Sequence, residues 1–221
     1  MNRLVLKEYV RRHGLPATLF HYGFSAVRKV TSCSILRVFT ADEQPVGDGQ
    51  VPGYVTRELT LEDLESESLD PHNTQDVRSA LQRGHRCFAN LVDRTIVGHT
   101  LYASRTGPSW DGHELVIPAG FDYAYHSYTD PEHRGKRLTL ARADTRKHTD
   151  RRNRVRRPTL WYVAVDNHAS LASHTGGLRE RKVGYLAYLR VGGRYLVGAS
   201  RGCRELGISL STQTSERRDC C

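Results

Sequence analysis

The stretch Tyr128-Thr-Asp-Pro-Glu-His-Arg-Gly-Lys-Arg-Leu-Thr-Leu-Ala141 is the most informative part of the sequence. An aromatic strand is predicted over Phe121–Thr129, Pro131 turns the chain, and a helix is predicted over Lys136–His148. The first N–H groups of a helix have no partner within it, and the helix dipole favours an anion there. A strand, a basic glycine-containing loop and a helix start therefore predict a cradle for phosphate, although many surface loops contain Arg-Gly-Lys.

A second stretch, Trp161-Tyr-Val-Ala-Val-Asp-Asn-His-Ala-Ser-Leu-Ala-Ser-His174, consists of an apolar strand, an asparagine and the start of a helix. With both stretches in place, the chain resembles the GNAT superfamily of acyl-CoA-dependent N-acyltransferases. Its members typically have Pro-Glu-(Tyr/His)-Arg-Gly-Lys-Gly-x-Gly after the fourth strand, and a fifth strand that ends in Asn-x-x-Ser/Ala-Leu-x-x-Tyr/His. The resemblance spans Tyr54 to Ser200 and covers both motifs.

The order of the predicted elements agrees with this resemblance. Strands are predicted over Tyr54–Leu59, Cys87–Val92, Thr95–Ser104, Phe121–Thr129, Thr159–Val165, Lys182–Val191 and Arg194–Ser200, and helices over Leu61–Leu69, Asn73–Leu81, Lys136–His148 and from Ala169. Asp93-Arg94 and Gly192-Gly193 are typical hairpin turns. This order indicates the α/β or α+β class, and the resemblance implies a GNAT-like mixed, mostly antiparallel central sheet with helices on both faces.

Two segments flank the region of resemblance. Residues 1–53 are predicted to form an N-terminal helical extension, with a strand at Ser34–Thr40 and a Gly- and Pro-rich linker. Residues 54–204 would form the GNAT-like acyltransferase domain, and residues 205–221 a polar C-terminal tail. Helices that pack against the main core are the simplest interpretation of the extension.

The resemblance implies a site for acetyl-CoA or another acyl-CoA, used as co-substrate without a metal. The pantetheine arm would bind near Tyr128 and Thr129, and Asn167 would orient it or the amine, or cap the following helix. Arg137 stands where the family usually has its second glycine and could instead donate a bidentate hydrogen bond to phosphate. The pyrophosphate would bind the amides of Arg134, Gly135, Lys136, Arg137, Leu138 and Thr139.

The expected chemistry is direct transfer of the acyl group to a primary amine. N–H donors would stabilise the oxyanion, and His174, where the family usually has Tyr, would protonate the leaving thiolate or serve only a structural role. His126 and Asp122 lie on the same side of their predicted strand by alternation, so either is a candidate general base. No nucleophile arrangement is apparent, and no Cys/His spacing predicts zinc.

Composition excludes several other classes. The chain has 221 residues, 38% of them hydrophobic and 26% charged, which is too polar for a membrane protein and too apolar for a disordered one. No run reaches the length of a membrane span, and charge interrupts the N-terminus too early for a signal peptide. Since the five cysteines also suggest no disulfide framework, a cytoplasmic location is expected.

Most of the net charge of +9 lies in one segment, residues 146–157, where seven basic residues and Asp150 give +6. We call this segment the basic run. It begins at the C-terminus of the predicted helix, the end remote from the phosphate cradle, so it is not expected to bind the cofactor. It is either a solvated loop or a docking site for an acidic macromolecule such as an acyl carrier protein or RNA.

Two other functions fit the same sequence. One is a transferase of this fold that takes its acyl or aminoacyl group from a carrier protein or a tRNA. The other is a non-catalytic GNAT-like module that binds nucleic acid through the basic run. Binding of an acyl-CoA would distinguish the acyl-CoA-dependent transferase from both of these alternatives. Salt-dependent binding of a polyanion would identify the nucleic-acid-binding module.

Overall fold

The computed structural model describes residues 10–11, 14–31, 33–42, 47–67, 71–109, 113–173, 180–191 and 194–211. Its strands are β1 (Cys33–Ala41), β2 (Val55–Leu59), β3 (Arg86–Val92), β4 (Thr95–Ala103), β5 (Thr106–Pro108), β6 (Glu114–Val116), β7 (Asp122–Thr129), β8 (Thr159–Ala164), β9 (Glu180–Val191), β10 (Arg194–Ala199) and β11 (Ser209–Ser211). Eight of them form one sheet in the order β10-β9-β1-β8-β7-β4-β3-β2, and the order β11-β6-β5 forms a small second sheet. In the large sheet only the β7–β8 pair is parallel among the described strands.

The helices are α1 (Leu15–Thr31), α2 (Asp63–Ser66), α3 (Pro71–Gln82), α4 (Leu138–Arg152), α5 (His168–Ser173) and α6 (Arg201–Glu205), with a 3-10 turn at Pro131–His133. Helix α3 buries Val77 and Ala80 in the main hydrophobic core, together with Ala89 and Leu101 of the sheet. Helix α4 lies on the opposite face, where the Arg146 guanidinium stands 4.8 Å from the centre of the Tyr102 ring. No described helix is long and apolar enough to cross a membrane.

Residues of β3 and β4 are buried on both faces because each face is covered by a helix. Neighbours in sequence alternate across the sheet, so Cys87 and Ala89 face α3 while Phe88 faces α4. The Asp93-Arg94 turn between these strands has φ values of 47° and 67°, as the left-handed positions of a tight hairpin require. The predicted mixed, mostly antiparallel sheet with helices on both faces is confirmed.

The structure corrects the place of the N-terminal segment. The sequence predicts an extension over residues 1–53, but β1 lies inside the large sheet, between β8 and β9. It pairs with both neighbours along its length, from Leu36–Ala164 to Ala41–Thr159 on one side. The predicted strand at Ser34–Thr40 is therefore a central strand of the core, and a boundary at residue 53 would cut through the sheet.

The C-terminal prediction also needs correction for its first residues. Instead of a polar tail from residue 205, Ile208 is 1% exposed and Leu210 is 8% exposed. Strand β11 pairs antiparallel with β6, which places these two apolar side chains in the main core. Three residues are too few for an alternating pattern to stand out in a sequence. Residues 212–221 lie outside the described part of the chain.

Candidate functional site

The parallel strands β7 and β8 diverge soon after they begin. They pair at only two positions, Asp122 with Thr159 and Tyr123 with Leu160. Farther along, β7 remains paired with β4 as far as Thr129, and β8 remains paired with β1 as far as Ala164. The two strands therefore leave a V-shaped opening in the sheet, and the backbone groups on its edges need partners from outside the ladder.

The end of β7 offers backbone groups to this opening. The Asp130 N–H donates to Val97 O at 2.9 Å, and Thr129 stands opposite Gly98. Hydrogen-bonded and non-hydrogen-bonded pairs alternate along an antiparallel ladder, so Thr129 directs its N–H and C=O away from β4, toward the opening. Arg134 Nε donates to the Thr129 carbonyl at 3.0 Å. The Thr129 N–H is then the donor that this strand end presents to an extended ligand.

The loop between β7 and α4 is the segment in which the sequence predicts the anion cradle. Asp130 Oδ1 accepts from the Glu132 N–H at 2.9 Å and shapes the 3-10 turn, and Gly135 has a φ of 80°. The first helical hydrogen bond runs from Ala141 N to Arg137 O at 3.1 Å. The N–H groups of residues 138–140 therefore precede any bond within the helix, at the positive end of its dipole. The helix begins at Leu138, two residues later than predicted.

Arg137 occupies the residue before the helix in a left-handed conformation, with φ 58° and ψ 25°. This conformation costs a residue with a side chain roughly 1–2 kcal/mol relative to glycine. The position at which the sequence departs from the family's glycine pattern is thus one that glycine would suit. Arg137 is exposed and immediately precedes the first residue of the helix.

Lys136 is held to one side of the cradle by Tyr54, a residue that sequence reasoning did not identify. Lys136 Nζ donates to the Tyr54 hydroxyl at 2.7 Å and lies 5.4 Å from the centre of its ring. The same hydroxyl is 2.9 Å from Nδ1 of His133. Lys136 therefore contributes its backbone to the loop, while its side chain fastens the loop to the segment that precedes β2.

Arg142 lies directly beneath the cradle and is fully buried. Its Nη2 donates to the hydroxyls of Thr129 at 3.2 Å and Thr139 at 3.0 Å, so it joins the end of β7 to the first turn of α4. The remaining bonds run to the sheet, with Nε donating to Thr100 Oγ1 at 2.9 Å and Nη1 to the Asn90 amide oxygen. Arg142 fixes both ends of the loop that forms the cradle.

The charge of Arg142 is not balanced locally. Within the described ranges no carboxylate forms an ion pair with it, and all its partners are neutral hydroxyl and amide groups. Burial lowers the pKa of this guanidinium to about 10, which leaves it protonated at neutral pH. A positive charge in a region of low dielectric acts over a longer distance than one in water. It therefore adds to the potential that attracts an anion to the cradle.

A cluster of polar rings lies on the other face of the sheet, at the wide end of the opening. β7 contains a bulge there, because His99 pairs with Tyr128 but Leu101 pairs with Tyr125. Within the bulge His126 has φ 47°, and its Nε2 is 3.7 Å from Oδ2 of Asp76 on α3. The extra residue breaks the alternation that predicts His126 and Asp122 on one side of the strand.

His99 stands beside His126, with ring centres 5.2 Å apart. It is fully buried, and neither of its ring nitrogens has a hydrogen-bond partner in the described part of the chain. Burial, with smaller effects from His126 and Arg142, lowers the pKa of His99 to about 3. His99 is therefore neutral at physiological pH, and sequence reasoning gave no sign of it.

Three other residues were predicted to belong to the site: Asn167, Asp122 and His174. Asn167 caps α5, since its Oδ1 accepts from the Ser170 N–H at 3.1 Å. Asp122 lies at the opposite end of β7 from the cradle, bound by the Ser104 hydroxyl at 2.8 Å and by Arg157 at 3.4 Å. A carboxylate so engaged is a poor general base, and we exclude it from the site. His174 lies outside the described residues.

No protein-family model and no curated protein matches this chain. Similar solved structures include a conserved protein of unknown function from Staphylococcus epidermidis, with 7% identity, a TM-score of 0.47 and coverage of 75% of this chain and 65% of that one. A GNAT-family protein from Novosphingobium aromaticivorans has 16% identity, a TM-score of 0.44 and coverage of 76% and 66%. A tandem GNAT protein from the clavulanic acid biosynthesis pathway has 18% identity, a TM-score of 0.43 and coverage of 76% and 58%.

Several of the similar structures are thus GNAT-family acetyltransferases, the family that the sequence resembles. This chain spans 65% and 66% of the lengths of the first two proteins named. At TM-scores below 0.5 these likenesses do not define a reaction, which depends on the geometry of the opening and the cradle.

A substitution at Gly98 tests how closely Arg142 packs against β4. A Cβ at Gly98 would lie 2.6 Å from Arg142 Nη1 and 3.1 Å from the Tyr128 carbonyl oxygen, so Gly98→Ala must displace one of them. We expect the free energy of unfolding in urea to fall by about 1–3 kcal/mol. Gly198→Ala is the matched control, because a Cβ there would meet nothing within 4 Å. Equal stability of the two variants would contradict the close packing of Arg142 against β4.

His99 makes stability depend on pH. The unfolded chain takes up a proton on this residue near pH 6.5, whereas the folded chain does so only near pH 3, because burial lowers the pKa to about 3. The free energy of unfolding should therefore fall as the pH drops from about 6.5, by about 2 kcal/mol at pH 5. Urea unfolding at pH 7 and pH 5 should show this loss in the parent and a smaller one in His99→Phe. The same loss in both proteins would mean that other groups cause it.

Proposed function

We propose that this chain is an acyl-CoA-dependent N-acyltransferase, which moves an acetyl or other acyl group to a primary amine by direct attack. The observation that carries the proposal is the divergence of the parallel strands β7 and β8 next to the anion cradle. The opening presents a strand edge to an extended arm, and the cradle presents N–H groups to phosphates. A coenzyme A thioester has both parts in this order.

The chain's own groups divide the work of holding the donor. The N–H of Thr129 faces the opening and binds the pantetheine arm, while the N–H groups of residues 138–140 bind the pyrophosphate. Arg137 adds a guanidinium at the mouth of the cradle, and Arg142 adds a buried positive charge beneath it. The thioester itself supplies the electrophilic carbonyl.

The acceptor amine enters from the face that carries His126. His126 is 36% exposed in its side chain and faces the Asp76 carboxylate, which favours the ring orientation needed to accept a proton from the amine. The buried neutral ring of His99 and the ring of Tyr128 form the wall behind it. His174 remains the proposed proton donor to the leaving thiolate, and Asn167, beyond its role as a cap, remains a proposed contact of the donor.

The alternative donors place different demands on the surface. An acyl carrier protein or an aminoacyl-tRNA would present its acyl group to the same opening and would carry acidic groups past the cradle. The basic run is the surface that favours such a donor, yet it lies a whole helix away, about 22 Å for the 15 residues of α4. A free acyl-CoA needs only the opening and the cradle, and we prefer it.

We place the reaction in the cytoplasm, since the described cysteines Cys33, Cys87 and Cys203 are all unpaired.

The proposal is tested by acetyl-CoA binding to the parent and to two matched variants. Arg137 and Arg154 both have φ 58°, at opposite ends of α4. Changing either residue to glycine relieves the strain of the left-handed backbone but also makes the unfolded chain more flexible. The net effect should raise the free energy of unfolding by roughly 0.5–1 kcal/mol. Only Arg137→Gly should weaken acetyl-CoA binding, by about tenfold, because Arg154 lies beyond the roughly 10 Å range of exposed charges at 0.1 M salt.

Thermal shift and calorimetric titration give the two readouts. The parent at 100 times its Kd of acetyl-CoA should gain about 2.7 kcal/mol of stability. Absence of any shift at millimolar acetyl-CoA would rule out the proposed function. Equal affinities in the two variants would instead leave the function standing and remove the Arg137 side chain from the binding site.

His126 is tested with whichever primary amine gives turnover in a panel of amines. His126→Gln should lower kcat by about 10²–10⁴-fold and leave the acetyl-CoA Kd unchanged, as expected for loss of a general base. Asp76→Asn should also lower kcat, but by less, because Asp76 acts only by orienting the His126 ring. The rate of the His126 variant should recover as the pH approaches the pKa of the free amine. A variant with full turnover at neutral pH would show that the base lies elsewhere.

A further inference from the structure

A cavity of about 650 Å³ lies at the end of α4 that is remote from the cradle. We call it the arginine cavity; it is lined by Arg146, Lys147, Asp150, Arg151, Arg154, Val155, Arg156 and Arg157. Its volume is in the range of small-molecule sites. The basic run is therefore not simply a solvated loop, since Arg146, Lys147 and Asp150 are buried and the run folds around a concave surface.

The floor of the arginine cavity is a network of ion pairs. Arg146 is 1% exposed; its Nε is 2.9 Å from Asp150 Oδ2, and its Nη2 donates to the Arg157 carbonyl at 3.0 Å. Arg86 also pairs with Asp150, and Arg157 with Asp122. With Glu58, which pairs with Arg86, three guanidiniums face three carboxylates. These ion pairs balance the charges of Arg146 and Arg157 and hold their side chains in place at the cavity.

The rim, by contrast, carries unbalanced positive charge. Arg151, Arg154 and Arg156 are exposed and line the cavity, and none forms an ion pair with a carboxylate among the described residues. A buried donor adds to them, because Nη1 of Arg146 has no hydrogen-bond acceptor within the described ranges. Guanidiniums that converge on a cavity without carboxylate partners are suited to binding phosphate oxygens in pairs.

The chain at the rim is held in one conformation. The Val155 N–H donates to the Asp150 carbonyl at 2.8 Å, and Arg154 between them has φ 58°. This is the hydrogen bond of a helix C-terminal motif that usually has glycine at the left-handed residue. Arg154 accepts backbone strain there, and its left-handed backbone sets the direction of its Cα–Cβ bond at the cavity.

We propose that the arginine cavity binds a compact polyanion that carries two or more phosphate groups. Its lining includes Val155 as the one apolar residue and no aromatic ring, so it offers nothing for a nucleobase to stack on and nothing for an acyl chain. The three rim arginines, Arg151, Arg154 and Arg156, have no carboxylate partner among the described residues, and their combined charge exceeds what a single phosphate balances. The concave shape favours a small ligand over the flatter surface of an acidic protein.

The probe for this proposal is tripolyphosphate, titrated by calorimetry at low and high salt. Coenzyme A is present at a saturating concentration, because the cradle would also accept phosphates. We expect one binding event per chain, weakened about tenfold or more in the double variant Arg154→Ser with Arg156→Ser. Both residues are exposed, so the fold should be retained, and melting temperatures check this.

Two control variants distinguish binding in the arginine cavity from binding at the cradle or at exposed arginines elsewhere. Arg190→Ser with Arg194→Ser removes the same charge from exposed positions on β9 and β10, and Arg134→Glu disables the cradle. Both should bind tripolyphosphate as the parent does. Loss in the cradle variant alone, or an equal loss in both double variants, would overturn the proposal. So would an absence of tripolyphosphate binding, whether or not RNA or an acidic carrier protein binds instead.

The result does not depend on the proposed function. If coenzyme A fails to bind, the comparison of the arginine-cavity variant with Arg134→Glu still shows where tripolyphosphate binds. A failure of the acyl-CoA proposal therefore leaves this one testable, and failure of tripolyphosphate binding leaves the acyl-CoA proposal untouched.

Discussion

The hydrogen bonds of Arg142 are the interaction on which the candidate site depends. One buried guanidinium holds hydroxyl and amide groups from β3, β4, β7 and the first turn of α4. A buried cation without a carboxylate is costly, and it is tolerated only where every N–H finds an acceptor. That requirement fixes how β7 ends relative to α4, and so fixes the loop between them. It also explains Gly98, since any side chain there would take the space of the guanidinium and of the β7 backbone.

Helix α4 is unusual in that its buried residues are mostly charged, with Leu138 and Ala141 near its start as the apolar ones. Arg142, Arg146 and Asp150 follow one another at intervals of four residues, so they share one face of the helix. Apolar burial contributes little to holding such a helix on the sheet, and directional contacts do most of it. Asp144 accepts from the Gly47 N–H at 2.8 Å, which brings the linker before β2 onto the other side of the helix. The helix is therefore fixed by specific partners, and its two ends are placed with the accuracy that a binding loop needs.

Patterns within short segments predicted much of the fold. The β3–β4 hairpin and the strand, loop and helix order around the cradle are in the structure, because turn residues and alternating apolar residues act locally. The central position of β1 could not be predicted in this way, since it depends on pairing with β8 and β9, more than a hundred residues away in sequence.

Arg142 was missed as a site residue for a related reason. A buried face made of arginines and aspartates gives no apolar periodicity, so α4 resembles a solvent-exposed helix in the sequence. His99 was missed because its burial depends on the bulge in β7, which only the paired strands define.

The two ends of α4 present different electrostatic problems, and the distribution of arginines follows from them. At the N-terminus the helix dipole and free N–H groups already favour an anion, so a few cations suffice there. At the C-terminus the dipole has the opposite sign and repels an anion, and the carbonyl groups offer it no donors. Any anion bound there must be held by side chains alone, against the dipole and against Asp150. Three exposed arginines without carboxylate partners among the described residues, above ion pairs that position Arg146 and Arg157, are the kind of arrangement that this end requires. Under the two proposals, the same helix would bind anions at both ends, by backbone groups at one and by guanidiniums at the other.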